Sequence, residues 1–212
     1  MNQTIRYKIL ELFMLHYPKP YMELSFNSAF ELLISVILSA KSTDKSVNKA
    51  TSLLYSIANT PFTMLKLGLY RLNKIINVIG LHNKKSIYII QTCKILVHNY
   101  QGKVPDNRID LEKLPGVGRK TASIILNTIF HQPVIAVDTH VFRICNRTSF
   151  AIGKNVKEVE SKLTKLVPIY FKYNLHNWFV LHGRYICTAR NPNCNKCFIN
   201  HLCCFHLINK LK

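Results

Sequence analysis

The sequence predicts an all-α protein. Apolar residues recur three and four positions apart along most of the chain, no run alternates apolar and polar residues convincingly, and Gly, Pro or polar turns punctuate the periodic stretches. At 212 residues and 48% hydrophobic content the chain can bury a core as one large or two small domains. No repeat, low-complexity tract or Gly/Ser linker interrupts it.

Ile5, Ile9, Leu12 and Phe13 predict an amphipathic first helix, and Leu32, Leu33, Val36 and Ile37 a second. The longest apolar stretch, residues 30–40, contains Glu31, Ser35 and Ser39 and is about half of what a membrane span requires, so it reads as a buried helix. Thr43 or Asp44 caps a third helix running through Val47, Ala50, Leu53 and Leu54. Further helices are expected over 63–68, 70–78 and 84–100.

Residues 111–122 read LEKLPGVGRKTA. Pro115 ends one short helix, and Gly116 and Gly118 permit a tight turn around Val117 before the next begins. Ala122, Ile125, Leu126, Ile129 and Phe130 then trace one buried face, which turns Lys120 away from the core. Two glycines before a helix N-terminus let backbone N–H groups approach an anion such as a DNA phosphate. Gly-x-Gly alone also fits a plain helix–helix turn. Arg119 and Lys120, however, put two cations in a helix's first turn, where the macrodipole disfavours them.

Asp138 follows the apolar run 133–137 and precedes a periodic segment with Val141, Phe142 and Cys145, which predicts a helix N-cap. Near the end, Cys187, Cys194, Cys197 and Cys203 form a Cys-x6-Cys-x2-Cys-x5-Cys run. The opening MNQTIRYKILELF has no secretory pattern, so a reducing compartment is expected and the cysteines read as ligands of a 4Fe-4S cluster or a zinc ion, not as disulfides. Cys93 and Cys145 read as core residues and Cys204 as an extra thiol. The formal charge of +19 favours a polyanionic partner, although a lysine-rich, A/T-biased composition accounts for part of it.

LPGVGRKTA, VDTH at 137–140, FELLISVILSAKSTDKSVNKA near the start, HGRYIC before the cluster and the cysteine spacing together resemble the endonuclease III family along essentially the whole chain. That resemblance implies a DNA base-excision repair enzyme, both an N-glycosylase removing oxidised pyrimidines and an AP lyase cutting 3′ to the abasic site. It implies a 4Fe-4S cluster on the four cysteines, Lys120 as nucleophile and Asp138 as the essential carboxylate. Two helical domains follow, residues 22–132 with a helix-hairpin-helix at about 108–127, and residues 1–21 plus 133–212 around the cluster, with DNA in the cleft between them. The implied partner is double-stranded DNA carrying damaged bases or abasic sites, bound by a monomer in the bacterial cytoplasm at the nucleoid.

By the same resemblance, Gly116, Val117, Gly118, Arg119 and Thr121 contact DNA, Lys41 and Leu81 fill the space left by a flipped base, and Arg190 and Lys196 meet phosphate beside the cluster. Lys41 departs from the family pattern, which commonly has Gln there. A lysine cannot accept hydrogen bonds from an orphaned base, so a phosphate contact is the alternative. Leu81 has a second reading as a core leucine, and His140 needs no catalytic role. A lysine's ordinary pKa of about 10.4 leaves roughly one part in a thousand neutral near pH 7.4, so a nucleophilic lysine needs surroundings that disfavour the ammonium. Two rivals remain: a non-catalytic helix-hairpin-helix module needs neither Lys120 nor Asp138, and an adenine glycosylase lacks the lysine.

Overall fold

The first helix, α1 (Gln3–His16), starts where Asn2 accepts a hydrogen bond from the Ile5 amide, and it buries Ile9, Leu10 and Phe13. In the computed structural model, which describes residues 1–210, ten further α-helices follow, and no strand occurs among the described residues. These are α2 (Ala29–Ser39), α3 (Asp44–Ile57), α4 (Pro61–Ile75), α5 (His82–Tyr100), α6 (Arg108–Glu112), α7 (Arg119–Thr128), α8 (Thr139–Thr148), α9 (Val156–Leu166), α10 (Ile169–Tyr185) and α11 (Cys204–Lys210). No described helix is long and apolar enough to cross a membrane.

The chain divides into two compact units, residues 22–130 and residues 1–21 with the described chain from 131 onward. In the first of these, α2 is the central post: every residue from Phe30 to Leu38 is buried, and α3, α5 and α7 pack around it. A helix buried on all sides needs few polar atoms, and its buried Ser35 hydroxyl is 2.6 Å from the Tyr55 hydroxyl. Thr43, not Asp44, caps α3, accepting from the Ser46 amide at 3.2 Å. Leu53, expected in the core, is exposed, because α3 buries only the stripe Val47, Ala50, Thr51 and Leu54. The helices expected at 63–68 and 70–78 are two arms of α4, broken where Gly68 adopts φ 79°.

The other unit wraps α1, α8, α9 and α10 around an aromatic core. Phe13 lies 4.9 Å from Phe179 and 5.0 Å from Phe198, ring centre to ring centre, and Trp178 donates its indole N–H to the Tyr17 carbonyl at 2.8 Å. Phe198 belongs to the cysteine loop, and it also stacks on His16 at 4.0 Å, so the terminal loop is pinned to the first helix. Each fully buried Phe or Leu contributes about 1.5–3 kcal/mol.

Candidate active site and cluster loop

Lys120 stands in the first turn of α7 and is exposed, as the phase of that helix requires. Its helix buries the continuous set 122–126, a broader face than expected, and ends at Thr128, leaving Ile129 and Phe130 only half-buried beyond it. Gly116 takes φ 81°, and a Cβ there would lie 3.1 Å from the Tyr88 ring. Thr92 donates to the Pro115 carbonyl at 3.0 Å and Val117 is buried, which fixes the turn on the body of the unit. Gly118 is different. It is the N-cap of α7 without a side-chain cap, its φ of −100° suits any residue, and nothing lies within 4 Å of where a Cβ would stand.

Arg108 closes the hairpin from the other side, donating to Ser123 Oγ at 3.0 Å and to the Arg119 carbonyl at 3.4 Å. The turn between α6 and α7 thus leads through Gly118, whose surroundings are open, into the first turn of α7, with Arg119 exposed and Thr121 half-buried beside it. Such an arrangement can hold a phosphate at a helix N-terminus.

Asp138 is the N-cap of α8. Its Oδ1 accepts from the His140 and Val141 amides, both at 2.9 Å, and its Oδ2 lies 3.2 Å from His140 Nδ1. The carboxylate is 13% exposed, held by backbone donors that favour an anion. Lys120 and Asp138 belong to different units.

Lys41 and Leu81 are exposed, both with left-handed backbone, φ 56° and 61°. Leu81 is therefore not a core residue; at 56% exposure it stands out from the start of α5. The two turns meet: the Gly80 amide donates to Ser42 Oγ at 3.2 Å. Lys85, overlooked in the sequence, is buried beneath them and donates to the Leu38 and Ala40 carbonyls. Its one sequence signal is position: it shares the buried stripe of α5 with Ile89, Thr92, Cys93 and Leu96. Burial depresses its pKa.

Cys187, Cys194, Cys197 and Cys203 line one cavity with Arg147 and His182. Four thiols around a cavity suit a polynuclear cluster, whose irons share the ligands among them. Burial, aided by the neighbouring Cys203, Cys187 and Cys194 and opposed by a backbone hydrogen bond from Ile199, pushes the Cys197 thiol up to about 11, so thiolates here need the positive charge that a metal supplies. Arg147, also missed in the sequence, donates to Cys187 Sγ at 3.4 Å and to the Thr188 and Ala189 carbonyls at 2.6 Å each. Arg143 holds the Gly183 and Cys187 carbonyls. His182 Nε2 is 3.4 Å from Cys197 Sγ, and its buried Nδ1 has no partner. Arg190 and Lys196 are exposed on this loop. Cys93 and Cys145 are buried, and burial raises both thiols well above their ordinary range.

The family model for HhH-GPD superfamily base excision DNA repair proteins matches residues 34–169, and that for the iron-sulfur binding domain of endonuclease III matches residues 187–203. Endonuclease III of Buchnera aphidicola subsp. Acyrthosiphon pisum (strain APS) is 60% identical over 97% of this chain and 98% of its own. That of Escherichia coli (strain K12) is 56% identical over 96% of each. Among solved structures, a trapped endonuclease III–DNA covalent intermediate superposes with a TM-score of 0.93 at 37% identity, over 99% of both chains. A non-covalent endonuclease III–DNA complex gives 0.94 at 38% identity, over 100% of both chains. The cofactor of the cysteine loop is a 4Fe-4S cluster, and the chain belongs to the HhH-GPD superfamily of base-excision DNA repair proteins and, within it, to the endonuclease III family.

Proposed function

We propose that this enzyme, a DNA glycosylase and AP lyase, removes oxidised pyrimidines from double-stranded DNA and uses Lys120 as its nucleophile and Asp138 as its carboxylate. The observation that carries the assignment is the exposed lysine in the first turn of α7, directly after an open, uncapped backbone turn. A phosphate held at that turn brings the sugar of the same strand to Lys120. The damaged nucleotide leaves the stack, at a cost of a few kcal/mol, and neutral Lys120 forms a bond from Nζ to the anomeric carbon as the bond to the base breaks.

Asp138, held in place by the α8 amides, stabilises positive charge developing on the sugar and assists proton transfer at the lysine. Ring opening gives a Schiff base, which acidifies the neighbouring C2′ proton. Loss of that proton and of the 3′ phosphate oxygen cuts the strand by β-elimination. The structural likeness to a trapped endonuclease III–DNA covalent intermediate supports this route.

Residues 22–132 and residues 1–21 plus 133–212 are proposed as the two domains, each supplying one of the two catalytic groups. Gly116, Val117, Gly118, Arg119 and Thr121 serve the phosphate, Lys41 and Leu81 the space left by the flipped base, and Arg190 and Lys196 the backbone beside the cluster. When bound, the cluster orders the loop that carries those two cations; Cys187, Cys194, Cys197 and Cys203 hold it. The enzyme acts as a monomer at the nucleoid.

Sodium borohydride reduces a Schiff base to a stable amine. The enzyme is expected to become covalently attached to a duplex carrying an abasic site or thymine glycol when that reagent is present. The Lys120→Ala variant is expected to lose the attachment; undiminished trapping would remove Lys120 from the mechanism.

A further inference from the structure

Lys85 is 3% exposed, and its ammonium faces three acceptors: the Leu38 carbonyl at 2.8 Å, the Ala40 carbonyl at 2.5 Å and Ser42 Oγ at 3.3 Å. The two carbonyls belong to the end of α2, which leaves its last carbonyls without partners inside the helix. A lysine from another helix thus caps α2. Placing an ammonium out of water is costly unless its donors are met, and here three oxygens meet them.

The backbone directly above this cap is strained. Lys41 and Leu81, each with left-handed backbone, flank the contact, and such strain persists only where the surroundings impose it. Ser42 Oγ receives both the Lys85 ammonium and the Gly80 amide, and a Cβ on Gly80 would lie 3.0 Å from the Lys41 carbonyl, so the two turns are in backbone contact. The Lys85 amide donates to the Leu81 carbonyl at 3.0 Å, one helical turn away. From the far side, Asn73 Nδ2 holds Asn83 Oδ1 at 2.8 Å and Ser86 Oγ at 3.0 Å, securing the start of α5 to α4.

We propose that Lys85 is a positioning residue that joins the Lys41 and Leu81 turns into one rigid wedge, so that both side chains enter the duplex together when a base is flipped. Lys85 touches no DNA; it acts through the turns. The proposal rests on the assignment of Lys41 and Leu81 to the space vacated by the flipped base.

The test compares rates on two duplexes, base release from thymine glycol and strand cleavage at an abasic site, for Leu81→Ala, Lys85→Met and the double variant. Only the first duplex has a base to unstack, so the ratio of the two rates reports the wedge. Lys85→Met is expected to lower this ratio about tenfold, and in the Leu81→Ala background by about threefold or less, because part of its action runs through the Leu81 turn and the rest through the Lys41 turn. If Lys85→Met lowers the melting temperature but leaves the ratio unchanged, or lowers it equally in both backgrounds, Lys85 is not a wedge-positioning residue although the wedge stands. If Leu81→Ala itself leaves the ratio unchanged, the wedge assignment fails and the proposal with it. Should Lys85→Met not fold, Ser42→Ala decides: it cuts the shared acceptor, and a ratio unchanged from wild type overturns the proposal, whereas a drop of about threefold that shrinks in the Leu81→Ala background supports it.

Discussion

Asp138 caps α8 and, in the proposed mechanism, also serves as the carboxylate, and the two jobs can be separated. As the N-cap of α8 it needs only an acceptor oxygen; as a partner for a cationic transition state it needs its charge. Asp138→Asn is therefore expected to melt close to wild type while losing about a hundredfold or more in base release. Asp138→Ala is expected to lose the same activity and, in addition, about 1 kcal/mol of stability, measured by chemical denaturation. The helix-start positions of Lys120 and Asp138 were legible in the sequence because the neighbours of each fix the phase of its helix. Lys85, Arg143 and Arg147 were not, because what each does depends on carbonyls or a thiol 40 or more residues away in sequence, and no local pattern records that.

The hairpin shows how one element divides its glycines. Gly116 has φ 81° and a crowded Cβ position, whereas Gly118 is extended and open. Gly116→Ala is expected to cost about 1–2 kcal/mol in stability through backbone strain and the Tyr88 contact. Gly118→Ala is expected to leave stability within about 0.5 kcal/mol of wild type but to weaken DNA affinity, since a methyl group would stand where the proposed phosphate contact lies; titration of an abasic duplex together with denaturation separates the two. Helices with a clean stripe or a glycine break, such as α1, α3 and both arms of α4, were readable from periodicity. By contrast, α10 buries Lys172, His182 and Gly183 among its aromatics, with Lys172 reaching the Thr164 carbonyl, so its apolar period is broken and periodicity does not reveal the helix.

At the scale of the whole molecule, the family assignment gives the +19 charge a partner, and the exposed cations of the cluster loop can be tested separately from the rest. Arg190→Ala with Lys196→Ala is expected to weaken binding to any DNA sequence and to reduce the slope of log affinity against log salt by roughly two, with iron content unchanged. The all-α class was readable because periodic segments dominate the chain. The cysteine spacing pointed to a ligand set, but only the fold shows how α1 and α8 brace it, through His16 stacked on Phe198 and Arg147 on Cys187. The central claim is that the chemistry belongs to the lysine at the start of α7 while the cluster orders a loop. The measurement that tests it most directly is peptide mapping by mass spectrometry of the enzyme cross-linked to an abasic duplex by borohydride. The sugar remnant is expected on Lys120; finding it on the N-terminal amine, or on another lysine such as Lys41, would contradict the account.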